Sequence, residues 1–105
     1  MIKQVRARAP LRLGLAGGGT DVSPYCDNYG GSVLNATIDR YAYATITTST
    51  DQKVRFVATD QQRSRDFPLA SFYELDGEFD LHKAVYNKIV NTYNNSEPIP
   101  LILST

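Results

Sequence analysis

The residues best suited to chemistry lie together in the stretch APLRLGLAGGGTD, residues 9–21. Arg12 stands in an alternating apolar run, glycines occupy 17–19, and Thr20 and Asp21 close the turn. Glycine lets a backbone bend sharply or approach a ligand closely. A carboxylate accepts hydrogen bonds from two hydroxyl groups at once, and a guanidinium neutralises an anion. This combination predicts a site for a ligand that is both hydroxylated, as a sugar is, and negatively charged.

Other sites that use a glycine turn do not fit this stretch. A phosphate-binding P-loop ends in Gly-Lys-Ser or Gly-Lys-Thr, which is absent. The dinucleotide fingerprint fails because Val22 stands where its third glycine belongs. A calcium-binding glycine repeat fails because Ala16 replaces its first glycine and nothing repeats. A purely structural alternative stays open, in which the glycines form a turn and Asp21 caps a following helix.

The elements before the glycine turn are predicted to be strands. Residues 2–8 alternate weakly and residues 11–16 alternate clearly, with Pro10 as an interruption between them. In the second run Leu11, Leu13 and Leu15 share one face, which we predict to be core. The opposite face carries Arg12, Gly14 and Ala16, so that a guanidinium would lie at one end of a nearly bare strip.

The elements after the turn alternate between loop and strand. Residues 17–31 predict a long loop, or a loop with a short helix. Residues 32–48 are rich in Val, Ile, Thr and Tyr and predict a strand. Asp51 and Gln52 predict a hairpin turn into a returning strand over 53–59.

The last third of the sequence predicts one helix and one buried strand. Residues 60–79 are polar and look irregular, and residues 80–94 predict a helix with Asp80 as its N-cap. Its buried face is predicted from the side chains that recur every four residues, namely Leu81, Val85, Ile89 and Tyr93. The chain then reads LILST, in which Leu101–Leu103 predict a buried strand. Because termini tend to fray, this ending predicts a piece of a longer protein, able to self-associate through an exposed sheet edge.

Composition excludes several classes of partner. Eleven basic residues balance eleven acidic ones, without a basic stripe, so neither nucleic acid nor an anionic membrane is expected. No apolar run approaches the roughly 18 residues of a membrane span, and the first ten residues lack the apolar core of a secretory signal. Cys26 is the one cysteine, so no internal disulfide is possible. These features predict a cytoplasmic protein with a reduced thiol and no metal site.

The glycine turn and its continuation resemble the GHMP kinases, the superfamily of galactokinase, homoserine kinase and mevalonate kinase. The first motif of that superfamily is matched by Pro10, Arg12, Leu15, Gly17, Thr20 and Asp21. The continuation YGGSVLNATIDRYAYATI, residues 29–46, matches as well. Galactokinases have Glu-His where this chain has Gly18 and Gly19. The glycine form, with PYCDNYGG and NATIDRY after it, is most similar to bacterial D-glycero-D-manno-heptose 7-phosphate kinases.

The resemblance implies a fold and an activity. Residues 1–105 would be a partial N-terminal domain of α+β class, related to ribosomal protein S5 domain 2 and ending before the loop that holds the ATP phosphates. The parent would transfer phosphate from ATP, with Mg²⁺, to the anomeric hydroxyl of a heptose 7-phosphate. These 105 residues alone would bind no cofactor and would be inactive.

The resemblance also implies roles for individual residues. Arg12 would be catalytic, stabilising negative charge as the anomeric oxygen attacks. The residues expected to bind the sugar phosphate are Gly17, Gly18, Gly19, Thr20, Asp21, Tyr25 and Gly31, with Gly30 and Asn35 as weaker candidates. Two alternatives stay open: a fucose- or galactose-type sugar-1-kinase, and a non-catalytic module that binds carbohydrate or a protein partner.

Overall fold

The computed structural model describes residues 1–105 as a mixture of strands and helices, in agreement with a mixed α and β class. The strands are β1 (Gln4–Ala16), β2 (Leu34–Thr48), β3 (Lys53–Ala58), β4 (Arg63–Pro68) and β5 (Leu101–Ser104). The helices are α1 (Tyr25–Tyr29) and α2 (Asp80–Tyr93). The loop with a short helix predicted for residues 17–31 is confirmed, whereas β4 lies in the segment that was predicted to be irregular. Neither helix has the length and apolar character needed to cross a membrane.

The strands form one sheet in the order β1-β2-β5-β3-β4. β5 runs antiparallel to β2 and parallel to β3, where Leu101 is opposite Val54 and Leu103 is opposite Phe56. The predicted hairpin across 51–52 is therefore wrong, because β5 lies between β2 and β3. The predicted buried strand at Leu101–Leu103 is confirmed, but it is central and forms no exposed edge. A short apolar strand gains most from a place where other strands flank it on both sides.

β1 departs from its prediction in two ways. Pro10 does not interrupt it, because β1 is an edge strand and a proline there removes no hydrogen bond from the ladder. The side chains predicted to be core on this strand, Leu11, Leu13 and Leu15, are exposed. All the buried hydrophobic residues of the chain lie between Val54 and Leu103, so the core is built without β1.

The core centres on the ring of Phe56, which is fully buried. Five rings lie within 6.3 Å of it, those of Phe67, Tyr73, Phe79, His82 and Tyr86. Tilted and edge-to-face ring pairs of this kind add to the stability that burial gives. The aromatic cluster joins β3 and β4 to α2.

α2 buries a different face from the predicted one. His82, Lys83, Tyr86 and Val90 are buried, whereas Leu81, Val85, Ile89 and Tyr93 are exposed. The Tyr86 hydroxyl donates to the carbonyl of Ala70 at 2.9 Å and accepts from the N–H of Ile99 at 3.0 Å. The Tyr86 hydroxyl can be buried because both of these hydrogen bonds satisfy it.

The start of α2 also differs from its prediction. Phe79 is the N-cap residue, in the left-handed region at φ 52°, and no side chain caps the helix. The Asp80 carboxylate instead accepts from the backbone N–H groups of Asp76 and Gly77 at 3.0–3.1 Å. Asp80 therefore stabilises the turn before the helix.

The chain divides into two compact units. One comprises Met1–Ala7 with Tyr43–Thr105 and contains the aromatic core. The other, Arg8–Ala42, contains the glycine turn and α1. Every residue predicted to have a catalytic or binding role lies in Arg8–Ala42.

Candidate functional site

The glycine turn is tied to the chain after α1 by the hydroxyl of Thr20. Thr20 Oγ1 lies 2.7 Å from the carbonyl oxygen of Gly17 and 3.1 Å from that of Ser32, and it accepts from the Ser32 N–H at 3.1 Å. The Thr20 side chain thus links the two ends of the loop, and this loop contains no buried apolar residue. These hydrogen bonds explain why a threonine follows the glycines.

Two of the glycines are required by close backbone approach. A Cβ at Gly17, which has φ 76°, would overlap the carbonyl oxygen of Ser32. A Cβ at Gly31 would overlap the carbonyl oxygen of Thr20 and lie 3.0 Å from the Cα of Asp21. Gly17, Thr20 and Gly31, each predicted to bind substrate, therefore have a structural role that the geometry explains. They fix the backbone that carries Asp21.

The other two glycines of the turn face open space. Gly19 has φ 86°, which favours glycine on conformational grounds, but no atom lies within 4 Å of its Cβ position. Gly18 has no positive φ and an equally empty Cβ position. Neither sterics nor backbone conformation within this chain therefore requires glycine at position 18.

Asp21 is exposed, and its carboxylate makes no hydrogen bond or ion pair. It does not cap α1, whose N-cap residue is Pro24 and which has no side-chain cap. The hydroxyl of Ser23 instead donates to the carboxylate of Asp27 in that helix. The structural alternative for Asp21 is therefore wrong, and its acceptor capacity is available to a ligand.

Arg12 is exposed and pairs with no carboxylate. Its strand neighbours Gly14 and Ala16 leave the strip beside it nearly bare, and nothing lies within 4 Å of the Cβ position of Gly14. The ion pairs of the chain lie elsewhere, in β3, β4, α2 and the segment before α2. The guanidinium is free to meet an anion.

An open depression of about 440 Å³ lies beside the turn. It is lined by Thr20, Tyr25, Tyr29, Gly30, Gly31 and Ser32. Sequence reasoning had singled out four of these but missed Tyr29 and Ser32. The missed signal for Tyr29 was its spacing of four residues from Tyr25, which places both rings on one face of α1.

The positive side chains nearest the glycine turn in the sequence are Arg12 and Arg40, which flank the stretch between them. Residues 13–39 contain three aspartates and no lysine or arginine. The N–H groups of Thr20 and Val22 are already used inside the turn, bonded to the carbonyls of Gly17 and Gly19. No cluster of three or more His, Cys, Asp or Glu side chains is placed to hold a metal ion.

The carboxylates with shifted pKa values lie outside the glycine turn. The hydrogen bond from Arg55 lowers the pKa of Asp66 to about 2. The hydrogen bond from Lys83 lowers the pKa of Asp76. Both belong to structural ion pairs of the unit that contains the aromatic core, so neither marks a second catalytic centre.

Comparisons with known proteins agree with the sequence motif. No family model matches the chain. A D-glycero-alpha-D-manno-heptose 7-phosphate kinase from Campylobacter jejuni is 41% identical over 104 residues, which is 99% of this chain and 30% of the relative. The crystal structure of a D-glycero-D-manno-heptose 1-phosphate kinase from Bacteroides thetaiotaomicron matches with a TM-score of 0.81 and 46% identity, over 99% of this chain and 33% of that one.

A second structure, a Campylobacter jejuni protein assigned as a sugar kinase, matches with a TM-score of 0.78 and 41% identity, over 98% of this chain and 32% of that protein. The chain thus spans about a third of the length of each of these relatives. In sequence and in fold the chain is similar, over nearly its whole length, to one third of a heptose-phosphate kinase, which confirms the resemblance that residues 9–21 and 29–46 carry.

Proposed function

We propose that this chain is the sugar-holding part of a GHMP-type kinase that phosphorylates the anomeric hydroxyl of a heptose 7-phosphate, with ATP as phosphoryl donor. The observation that carries the proposal is the unpartnered carboxylate of Asp21 on a turn whose backbone is fixed by Thr20 and by two tightly packed glycines. An acceptor without a partner, held on a rigid backbone, is preorganised for sugar hydroxyls. The names of the similar kinases support the substrate class.

Arg12 has the second role in this proposal. Its unpaired guanidinium would stabilise the negative charge that develops on the attacking sugar oxygen, and no reorganisation of an existing ion pair would be needed. The turn itself contains no lysine or arginine, and the N–H groups of Thr20 and Val22 are already bonded within it. ATP and Mg²⁺ would therefore be held by residues other than these 105, and the isolated stretch would transfer no phosphate.

The test is an assay of the protein that carries this chain, with ATP and Mg²⁺. D-glycero-D-manno-heptose 7-phosphate, the corresponding 1-phosphate, L-fucose and D-galactose are offered separately, with ADP release and ³¹P NMR as readouts. A new anomeric phosphate signal with the 7-phosphate supports the proposal. Transfer to fucose or galactose alone would favour the other sugar-1-kinases. Sugar binding without transfer would favour a non-catalytic carbohydrate module.

A further inference from the structure

Two tyrosine rings stand side by side at the edge of the depression next to the glycine turn. The ring centroids of Tyr25 and Tyr29 are 5.2 Å apart, and the planes are tilted by 47°. Tyr25 is 49% exposed and Tyr29 is 78% exposed. Tyr29 therefore presents a large aromatic face to solvent that contributes nothing to the core of this chain.

The floor below these rings is neutral and carries hydroxyl groups. Besides the two tyrosines, the depression is lined by Thr20, Gly30, Gly31 and Ser32, and none of its lining residues is charged. The packing of Gly31 against Thr20 and the hydrogen bond between Thr20 and Ser32 hold this floor in place. An uncharged floor with an aromatic wall suits a ligand that combines an apolar face with hydroxyl groups.

We propose that Tyr29, supported by Tyr25, stacks on the C–H face of the sugar ring, and that this depression takes the uncharged part of the sugar phosphate. The inference rests on the proposed function and adds a specificity residue to it. The face of an aromatic ring is electron-rich and attracts the partly positive C–H hydrogens on one face of a pyranose. The hydroxyl groups at the edge of that pyranose then meet the polar groups of the floor.

The composition of the depression also indicates that the phosphate of the substrate lies outside it. A phosphate needs cationic side chains or free N–H groups around it, and residues 13–39 contain no lysine or arginine. None of the side chains that line the depression carries a positive charge that could hold it. The phosphate therefore points away from the tyrosines, and binding at this wall depends on the sugar ring and not on its charge.

The test compares three variants of the protein that carries this chain. Tyr29→Ala removes the ring, Tyr29→Phe keeps the ring and removes the hydroxyl, and Tyr93→Ala is a matched control because Tyr93 is also 78% exposed but lies at the end of α2. Tyr29→Ala is expected to raise KM for D-glycero-D-manno-heptose 7-phosphate about 3- to 10-fold. KM for ATP should stay unchanged in all three variants, and Tyr29→Phe and Tyr93→Ala should keep the sugar KM within about twofold.

Two results of these kinetic measurements would overturn the stacking of Tyr29 on the sugar. An unchanged sugar KM in Tyr29→Ala would overturn the inference, and equal losses in Tyr29→Ala and Tyr29→Phe would assign the effect to the hydroxyl and overturn stacking. If the unmodified protein phosphorylates none of the sugars offered, the proposed function is wrong, but this result does not decide whether Tyr29 stacks on the sugar.

The stacking is then tested by titrating the heptose 7-phosphate while following tyrosine ring signals by NMR. Shifts that disappear in Tyr29→Ala support it, and their absence in the unmodified protein overturns it.

Discussion

Gly17 and Ser32 pass each other so closely that a Cβ at position 17 would overlap the Ser32 carbonyl oxygen. Gly18, the next residue, has open space around its Cβ position. We therefore expect Gly17→Ala to disrupt the turn, whereas Gly18→Ala should leave the fold intact and raise the sugar KM because the added methyl group enters the ligand space. Thermal unfolding and circular dichroism of both variants check the difference. Equal stability of both variants would contradict the close approach at Gly17.

Asp21→Asn should raise the sugar KM and lower turnover, with little change in KM for ATP. An amide has one oxygen acceptor in place of two, so a pair of sugar hydroxyls can no longer both donate to it. Steady-state kinetics with each substrate varied in turn measure the two effects separately. Asp51→Asn, in the turn between β2 and β3, is the control because it makes the same change of charge away from the glycine turn. An effect mainly on ATP would refute the role of Asp21.

Arg12→Ala should lower kcat on the order of 10²–10³-fold, with a smaller change in sugar KM, because a preorganised cation acts most strongly on charge that develops during transfer. Arg12→Lys keeps the charge and should retain part of the activity. If Arg12 only served a surface role, its loss would change kcat by no more than a few-fold. Rapid-quench measurement of the transfer step distinguishes these cases.

The glycine turn could be interpreted from sequence because its chemistry is local. The types of residues 10–21 and their spacing were sufficient to predict a strand that leads into a loop, but they left open whether Asp21 caps a helix or meets a ligand. The structural roles of Gly17 and Gly31 could not be predicted, because each depends on a backbone about a dozen residues away in the chain. Gly17 and Ser32, like Gly31 and Thr20, are distant in the sequence and meet only in the folded chain.

The sheet order and the buried face of α2 could not be predicted for a related reason. β5 lies between β2 and β3 although nearly 50 residues separate it from the turn at 51–52. Periodicity alone favoured the stripe Leu81, Val85, Ile89 and Tyr93. The buried face instead contains Lys83 and Tyr86, whose burial depends on partners at Asp76, Ala70 and Ile99. A hydrophobic pattern does not report such distant hydrogen-bond partners.

Two valines on α2 test the corrected face directly. Val90 is 1% exposed in the core, and Val85 is 46% exposed. Val90→Ala should lower the free energy of unfolding by about 1–3 kcal/mol, because it removes buried methyl groups and leaves a cavity. Val85→Ala should change it by less than about 0.5 kcal/mol. Urea unfolding of both variants provides the measurement. A larger loss of unfolding free energy in Val85→Ala would show that the buried face of α2 is the one predicted from periodicity.

The last prediction concerns the pH dependence that Asp66 gives to stability. Arg55 Nε donates to Asp66 Oδ1 at 2.5 Å and Arg55 Nη2 donates to Oδ2 at 3.1 Å, while Lys53 Nζ lies 3.5 Å from Oδ2. The hydrogen bond from Arg55 lowers the pKa of Asp66 from 3.8 to about 2. Because the folded state binds the proton less tightly than the unfolded state, the ionised carboxylate stabilises the fold above the unfolded pKa of 3.8. That contribution falls as the pH decreases from 3.8 towards 2.

Asp66→Asn should therefore be less stable than the unmodified protein at pH 7, and the difference should shrink as the pH falls through this window. Urea unfolding at pH 7, 4 and 2.5 measures it. A double-mutant cycle with Arg55→Gln assigns the effect to the pair. Since both side chains are partly exposed, added salt should reduce the difference at pH 7. A difference that is constant from pH 7 to 2.5 would show that the ionised pair contributes nothing to folding and that Asp66 acts only through its neutral contacts.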